Sequence, residues 1–207
     1  MTSSLFSKLP IVLFDLGGVL VHVRYSQFLE ALGLDQGIDE ERLLQLITPD
    51  GRLYETGKLT TEEFFSRLNN VLGGRYHTPK LHAAWKTILD GEVEGMRKVA
   101  EWVSQQTKVY LLSNTNDLHF TYSRGAFPAL RFCTDYFVSF RIGAMKPDPE
   151  IYRHVMDSLR GDPQQLLFID DLERNVEGAR QVGLRSILFD GVEGLKRLLT
   201  NEGFSLD

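Results

Sequence analysis

Cysteine is almost absent from this chain of 207 residues, which contains only Cys133. A single thiol excludes an internal disulfide and is typical of proteins from a reducing compartment. No activating neighbour flanks it in residues 130–134. We therefore interpret Cys133 as an inert thiol rather than as a nucleophile.

Long apolar runs are also missing. The longest, residues 11–23, is interrupted by polar residues and glycines and is too short to span a bilayer. The segment Met1 to Pro10 lacks the apolar core of a signal peptide. We therefore expect a cytoplasmic protein with no membrane partner.

Positive charge is in deficit, because 23 Lys and Arg residues face 28 Asp and Glu residues, which gives a net charge of −5. This balance argues against a broad nucleic-acid surface, which needs clustered Lys and Arg. It leaves open a small basic pocket for a small anion, such as a phosphorylated metabolite. The sequence leaves both a monomer and a homodimer open.

Five short apolar runs are present, at residues 11–14, 109–112, 136–139, 166–169 and 186–189. Continuous runs of this length are typical of buried parallel strands. Helical patterns alternate with them, at residues 94–105, 147–159 and 173–182. The alternation predicts an α/β fold with a doubly wound, Rossmann-like, parallel five-stranded sheet.

The interval between the first two runs is far longer than one crossover helix needs. Its patterns predict four amphipathic helices, at residues 26–32, 39–47, 61–72 and 79–89. Thr60 and Glu63 fit a capping box before the third of them. Gly51 and Gly57 indicate a loop between the second and the third. We predict a helical cap domain, residues 23–91, inserted into a core domain formed by residues 1–22 and 92–207.

Polar side chains follow the predicted strands at the edge where parallel sheets bind ligands. They are Asp15, Ser113, Asn114, Asp170 and Asp171, with Lys146 just before the helix that follows the third strand. Oxygen ligands without a cluster of nitrogen or sulfur ligands favour Mg²⁺ over Zn²⁺. The metal and Lys146 would reverse the negative charge of the carboxylates and make an anion site.

The chemistry of these groups suggests a division of roles. The Asp15 carboxylate can attack phosphorus and form an aspartyl-phosphate. Ser113 and nearby backbone N–H groups would hold the phosphoryl oxygens, and Lys146 would bridge Asp15 and the phosphate.

Four segments of the chain resemble the motifs of the haloacid dehalogenase-like (HAD) hydrolases. They are residues 14–20, 112–116, 145–147 and 168–171, each beside a predicted strand or helix end. The resemblance covers the whole chain, with the helical insertion at the position of the family's cap. Residues 112–116 and 175–183 are especially similar to bacterial glucose-1-phosphate phosphatases and to the phosphatase domain of soluble epoxide hydrolases.

The resemblance implies a ligand set and a substrate site. Mg²⁺ would be held by Asp15, Asp171 and the backbone carbonyl of Gly17, with Asp170 close by or bound through water. Asn175 would orient the metal shell. The substrate phosphate would contact Ser113, Asn114, Lys146 and Gly18.

One position departs from the family's pattern, because most of its phosphatases carry a second Asp where this chain has Gly17. General acid–base catalysis typically raises the rate roughly 10²–10⁴-fold, and no residue of this chain is assigned to it by the pattern. Our hypothesis is that the chain selects activated esters such as glucose 1-phosphate, whose leaving groups need less protonation. His22 could supply the proton, but we favour a solvent-facing flap residue.

Alternative interpretations remain at this point. The chain could be a silent HAD-like binding protein, a 2-haloacid dehalogenase or a phosphomutase. Asn116 and His119 could face the phosphate, although we favour helix capping for both. Arg52, Tyr54 and Trp85 are interpreted as core or surface residues, and the loop from Gly51 to Gly57 is the favoured source of substrate selection.

Overall fold

The computed structural model of the protein describes residues 9–35, 37–160 and 162–205. Its strands are β1 (Ile11–Phe14), β2 (Val21–Val23), β3 (Leu89–Glu92), β4 (Val109–Ser113), β5 (Asp135–Val138), β6 (Leu166–Asp170) and β7 (Arg185–Leu188). Its helices are α1 (Tyr25–Leu32), α2 (Glu40–Glu55), α3 (Thr61–Val71), α4 (Thr78–Lys86), α5 (Met96–Ser104), α6 (Asp117–Ala126), α7 (Ser139–Ile142), α8 (Pro149–Leu159), α9 (Glu173–Gln181) and α10 (Val192–Asn201). Short 3₁₀ turns cover Pro128–Phe132 and Pro163–Gln165.

Five strands form the main sheet in the order β5-β4-β1-β6-β7, and all neighbours are parallel. Strand β1 is central, pairing Val12 with Val109 on one side and with Leu167 on the other. Its side chains alternate between two apolar clusters, with Phe14 packing towards α5 and α10 and Leu13 towards α8 and α9. Helices therefore cover both faces, and the predicted α/β fold with a parallel five-stranded sheet is confirmed.

A third apolar cluster forms between α1, α2, α3 and α4, separate from the two that flank the sheet. Aromatic rings dominate it: Tyr54 stacks on Phe64 with ring centroids 4.5 Å apart, and Trp85 meets Phe28 edge-on at 5.3 Å. The segment 23–91 thus buries a core of its own. The domain boundaries themselves stay a prediction. Residues 1–8 and 206–207 of the predicted core domain lie outside the described residues, and so does most of the segment Met1 to Pro10.

The helices of the cap begin and end partly as predicted. The capping box at α3 is confirmed, because Glu63 N donates to Thr60 Oγ1 at 3.2 Å and Thr60 N donates to the Glu63 carboxylate at 2.9 Å. The predicted helix at 79–89 is too long: α4 ends at Lys86. Leu89 instead enters β3, which pairs antiparallel with β2 where the chain enters and leaves the cap.

The loop predicted from Gly51 to Gly57 is wrong, because α2 continues through Pro49 and Gly51 as far as Glu55. Packing outweighs the weak helix propensity of these two residues. Ile47 and Tyr54 are buried on the same face of the helix, and the Tyr54 hydroxyl lies 2.9 Å from Thr61 Oγ1. Only a short turn around Gly57, with φ of +69°, separates α2 from α3.

In the described chain, no helix combines the length and the apolar character needed to cross a membrane. Cys133 is half-buried, and burial raises the pKa of its thiol to about 12. A thiol that stays protonated at neutral pH is a poor nucleophile, in agreement with the sequence-based interpretation.

Candidate active site

The carboxyl ends of β4, β1 and β6 are neighbours in the sheet, so the residues that follow them meet at one edge. Asp15 follows β1, Ser113 ends β4, and Asp170 ends β6. All three are buried, at 7%, 1% and 0% exposure. The convergence predicted from the strand ends is therefore present.

Lys146 lies at the centre of this cluster. Its Nζ is 2.9 Å from Asp15 Oδ1 and 2.6 Å from Asp170 Oδ2, and it donates to the Leu112 carbonyl at 3.1 Å. The side chain is fully buried. Burial by itself lowers the pKa of Lys146, but the two carboxylates outweigh it and the net pKa is raised. The ammonium is therefore held charged between Asp15 and Asp170.

Asp170 has hydrogen-bond donors on both oxygens. Leu172 N and Asn175 Nδ2 donate to Oδ1, both at 2.9 Å, and Oδ2 accepts from Lys146 and, at 3.1 Å, from Asn175 Nδ2. The Asn175 Oδ1 atom is buried and has no hydrogen-bond partner in the described residues. Asn175 thus orients Asp170 and leaves one unpaired acceptor beside the site.

Asn114 fixes the backbone on which Lys146 is carried. Its Nδ2 donates to the Lys146 carbonyl at 2.8 Å, and its Oδ1 accepts from Lys146 N at 2.8 Å. Both polar atoms of the side chain are therefore used within the protein. The predicted contact of Asn114 with substrate stays a prediction, while its visible role is to position Lys146.

Ser113 and Gly18 lie close to the carboxylates. Ser113 Oγ makes only a long contact of 3.4 Å to the Asn114 carbonyl, so its hydroxyl is weakly engaged. Gly18 has φ of +75°, and a Cβ built there would lie 2.1 Å from Asp171 Oδ2. Only glycine allows the Asp171 carboxylate to approach the turn after β1 so closely.

The three aspartates can hold a cation. Ligand oxygens of Asp15, Asp170 and Asp171 lie within 4.8 Å of one another. The donors are all oxygens, which suits a hard divalent ion such as Mg²⁺. Since Asp170 already accepts several hydrogen bonds, Asp15 and Asp171 have the greater free coordination capacity, and the orphaned Asn175 Oδ1 adds an acceptor nearby.

The electrostatics of the cluster also favour a cation. Burial raises the pKa of Asp15 to about 7, with Lys146 opposing the shift and Asp170 adding to it. Burial and the Asp170 charge raise the pKa of Asp171 as well. Three carboxylates thus share one ammonium, and a bound cation would stabilise their ionised forms.

A cavity of about 480 Å³ opens beside Lys146, between the core and the cap. From the core it is lined by Asn114, Met145, Lys146, Pro147 and Arg174. From the cap it is lined by Tyr25, Leu44, Ile47, Thr48, Gly51, Arg52, Glu55 and Trp85. Arg52 crosses the cleft to Asp148, with an N–O distance of 2.8 Å.

Sequence reasoning anticipated the cap side of this cleft only in part, because it favoured residues 51–57 as the source of substrate selection but expected a loop there. Glu55 was not singled out, and Arg52 and Trp85 were interpreted as core or surface residues. The spacing of Arg52 and Glu55, three residues apart, indicates a shared helix face only once α2 is known to continue past Gly51. Gly51 and Gly57 predicted a loop in this segment, so the shared helix face could not be recognised from the sequence.

His119 corrects another prediction. Asn116 does cap α6, because its Oδ1 accepts from His119 N at 2.9 Å. The His119 side chain does not cap a helix. Its Nε2 lies 2.8 Å from the Trp85 carbonyl and its ring stacks on the Trp85 indole, so it joins the core to the cap. Burial lowers the pKa of His119 to about 4 and keeps the ring neutral.

A side chain at Gly17, as in the family's pattern, would require the Val23 side chain to move. A Cβ built on Gly17 would lie 2.8 Å from Val23 Cγ2. His22, on β2, is half-buried and does not line the cleft. Its predicted role as a flap residue fits this position better than proton donation.

A family model described as haloacid dehalogenase-like hydrolase matches residues 9–183. The chain belongs to the haloacid dehalogenase-like hydrolases. It is 28% identical over 188 residues to D-ribitol-5-phosphate phosphatase of Bacteroides thetaiotaomicron, covering 84% of this chain and 89% of that protein. It is 38% identical over 61 residues to bifunctional epoxide hydrolase 2 of Rattus norvegicus, covering 29% of this chain and 11% of that protein.

The HAD fold is also shared with a solved structure of a HAD family enzyme from B. thetaiotaomicron in complex with magnesium and inorganic phosphate. The TM-score is 0.79 at 27% identity, over 92% of this chain and 98% of the other. The expected resemblance to HAD phosphatases and to epoxide hydrolase is confirmed. The chain is thus a hydrolase of the HAD family.

Proposed function

We propose that the protein is a Mg²⁺-dependent phosphomonoester hydrolase that forms an aspartyl-phosphate on Asp15, with a small sugar phosphate such as glucose 1-phosphate as the favoured substrate. The observation that carries the proposal is the buried ion-pair cluster. Lys146 Nζ lies within 3 Å of both Asp15 and Asp170, at the edge of the sheet that opens to the cleft.

Mg²⁺ would be held by Asp15, Asp171 and the backbone carbonyl of Gly17, with Asp170 close by. When bound, it would neutralise oxygens of the phosphoryl group and so let an anion enter a site built from carboxylates. The oxygen-only donor set and the close approach of Asp171 to Gly18 support this assignment. A related HAD structure that contains magnesium and phosphate supports it as well.

The residues of this chain would then act on the substrate in two steps. Lys146 favours the ionised form of the Asp15 carboxylate and holds one of its oxygens, and the other oxygen attacks phosphorus in line with the ester bond. Ser113 and the backbone around Gly18 would donate to the equatorial oxygens. Water then hydrolyses the aspartyl-phosphate and regenerates Asp15.

The substrate class is supported by the cleft. Its volume of about 480 Å³ suits a small metabolite, and its cap wall offers polar groups of both charges. A phosphatase of ribitol 5-phosphate, a phosphorylated polyol, is among the similar proteins. A neutral, hydroxyl-rich leaving group would match this mixed wall.

The test is phosphate release from p-nitrophenyl phosphate and glucose 1-phosphate, with and without Mg²⁺. Asp15→Asn should abolish it, by roughly 10⁴-fold or more, because the neutral amide cannot attack phosphorus. The control is Asp157→Asn, an exposed residue of α8, which should retain full activity. Chelation of Mg²⁺ that leaves turnover intact, or an active Asp15→Asn variant, would contradict the proposal.

A further inference from the structure

Proton transfer to the leaving group has no donor among the residues assigned so far. Asp15, Asp170 and Asp171 belong to the cation cluster, and Lys146 is paired with two of them. Val23 occupies the space beside Gly17 where a further side chain would begin. The donor must therefore come from another wall of the cleft.

The ionisable side chains that line the cleft are few in the described residues: Tyr25, Arg52, Glu55, Lys146 and Arg174. A guanidinium is not a practical general acid, which excludes the two arginines. Burial, with the nearby Glu55 and Glu40 carboxylates, raises the pKa of Tyr25 and makes the phenol a weaker acid still. Glu55 is left as the group with suitable acidity.

Glu55 is held in place by two contacts that flank it on the same segment. Three residues before it, Arg52 pairs with Asp148 at the start of α8, at 2.8 Å. Two residues after it, Gly57 approaches the core so closely that an added Cβ would lie 2.3 Å from the Phe140 carbonyl oxygen. The end of α2 therefore contacts the core on both sides of Glu55. These contacts restrict how far Glu55 can move relative to Lys146 across the cleft.

The surroundings of Glu55 suit a proton donor. Its carboxyl group has no hydrogen bond or ion pair within the described ranges, although it lies near Lys146 and Arg52. Burial raises its pKa to about 7, with Lys146 and Arg52 opposing the shift. Tyr25 and Arg174 are the other polar groups on the facing walls. A general acid works best when its pKa is near the working pH.

On the basis of the proposed function, we propose that Glu55 is the general acid and base of the reaction. Asp15 attacks phosphorus, and the bond from phosphorus to the ester oxygen breaks. The ester oxygen keeps the electron pair of that bond and accepts a proton from Glu55. The alcohol leaves, and Glu55 is ionised. Water then attacks the aspartyl-phosphate, its proton returns to Glu55, and the bond to Asp15 breaks to release inorganic phosphate.

The assignment changes the expected substrate range. If Gly17 left the site without any acid, only activated esters would react well. With Glu55 as the acid, the enzyme should hydrolyse glucose 6-phosphate, an ordinary alkyl ester, in addition to glucose 1-phosphate. The kcat/KM for glucose 6-phosphate should fall on the alkaline side of about pH 7, where Glu55 ionises.

The test compares Glu55→Gln with wild type on two esters. The kcat/KM for glucose 6-phosphate should fall by roughly 10²–10⁴-fold, and the alkaline limb of its pH profile should disappear. For p-nitrophenyl phosphate, whose leaving group needs no proton, kcat/KM should change little. A pre-steady-state burst of nitrophenolate should appear, because hydrolysis of the aspartyl-phosphate also loses its base.

The matched control is Glu41→Gln, an exposed residue of the same helix, which should behave as wild type. The thermal unfolding midpoint of Glu55→Gln should be no lower than that of wild type, since an unpaired half-buried carboxyl is replaced by a neutral isostere. Equal losses on both esters, a change confined to KM, or wild-type activity limited to activated esters would each overturn the role of Glu55 while leaving the phosphatase intact. A wild-type protein inactive on every ester would overturn the proposed function itself.

Discussion

The two walls of the cleft differ in how their polar groups are satisfied. On the core wall, Lys146 has three acceptors, and both oxygens of Asp170 have donors. On the cap wall, Glu55 has no hydrogen bond, and the buried Trp85 Nε1 has no partner in the described part of the chain. The core wall is preorganised for one chemistry, whereas the cap wall retains groups that a ligand can engage.

The difference has a structural origin. The core wall is carried by the ends of β1, β4 and β6, whose register is fixed by the parallel sheet. The cap wall is carried by α1, α2 and α4, and contacts such as Arg52 with Asp148 and Trp85 with His119 join it to the core. Rigid strand ends suit positioning of reacting atoms, and a helical wall with fewer contacts suits selection of the leaving group.

The largest effect on stability should come from the core wall. Lys146→Met would leave Asp15 and Asp170 buried without their ammonium, at a cost of about 3–5 kcal/mol in the free energy of unfolding. The deficit should grow with rising pH, because burial raises the pKa of Asp15 above its unfolded value and the variant lacks the ammonium that opposes this shift. Urea unfolding at mildly acidic and neutral pH measures it.

Lys108→Met is the control for this change, since Lys108 is exposed. It should alter stability little at either pH. A Lys146→Met protein as stable as wild type at neutral pH would show that the core wall is not held by its central ion pair.

A smaller effect is expected where the core wall meets the metal. Gly18→Ala would place a methyl group against the Asp171 carboxylate, and the Mg²⁺ concentration for half-maximal activity should rise roughly 10–100-fold. Activity is measured in a magnesium titration.

Gly33→Ala separates the collision from backbone strain. Gly33 has a similar φ of +69°, but a Cβ there meets no atom within 4 Å. This variant should lose some stability and keep the wild-type magnesium requirement. The same shift in both variants would assign the effect to strain alone.

The smallest effect is expected from the ion pair that crosses the cleft. Arg52 and Asp148 are 56% and 42% exposed, so their coupling should be about 0.2–1 kcal/mol in a double-mutant cycle of stability. Added salt should reduce it further. The cycle uses Arg52→Ala, Asp148→Ala and the double variant. A coupling above this range would make the cap wall as firmly held as the core wall.

The sequence alone was sufficient for the core. Short apolar runs predicted the five parallel strands, and the residues after them predicted the meeting of Asp15, Ser113, Asp170 and Lys146. This prediction works because strand burial has a local signature, and the topology of a parallel sheet brings all carboxyl ends to one edge.

Only the tertiary structure decided the cap wall. Gly51 and Gly57 suggested a loop, yet packing of Tyr54 and Ile47 keeps α2 helical as far as Glu55, which lines the cleft. The stacking of His119 on Trp85 likewise joins segments distant in the chain. Such contacts depend on how the apolar core of the cap packs against the core domain, and neither periodicity nor motif records that packing, because the side chains involved are distant in sequence.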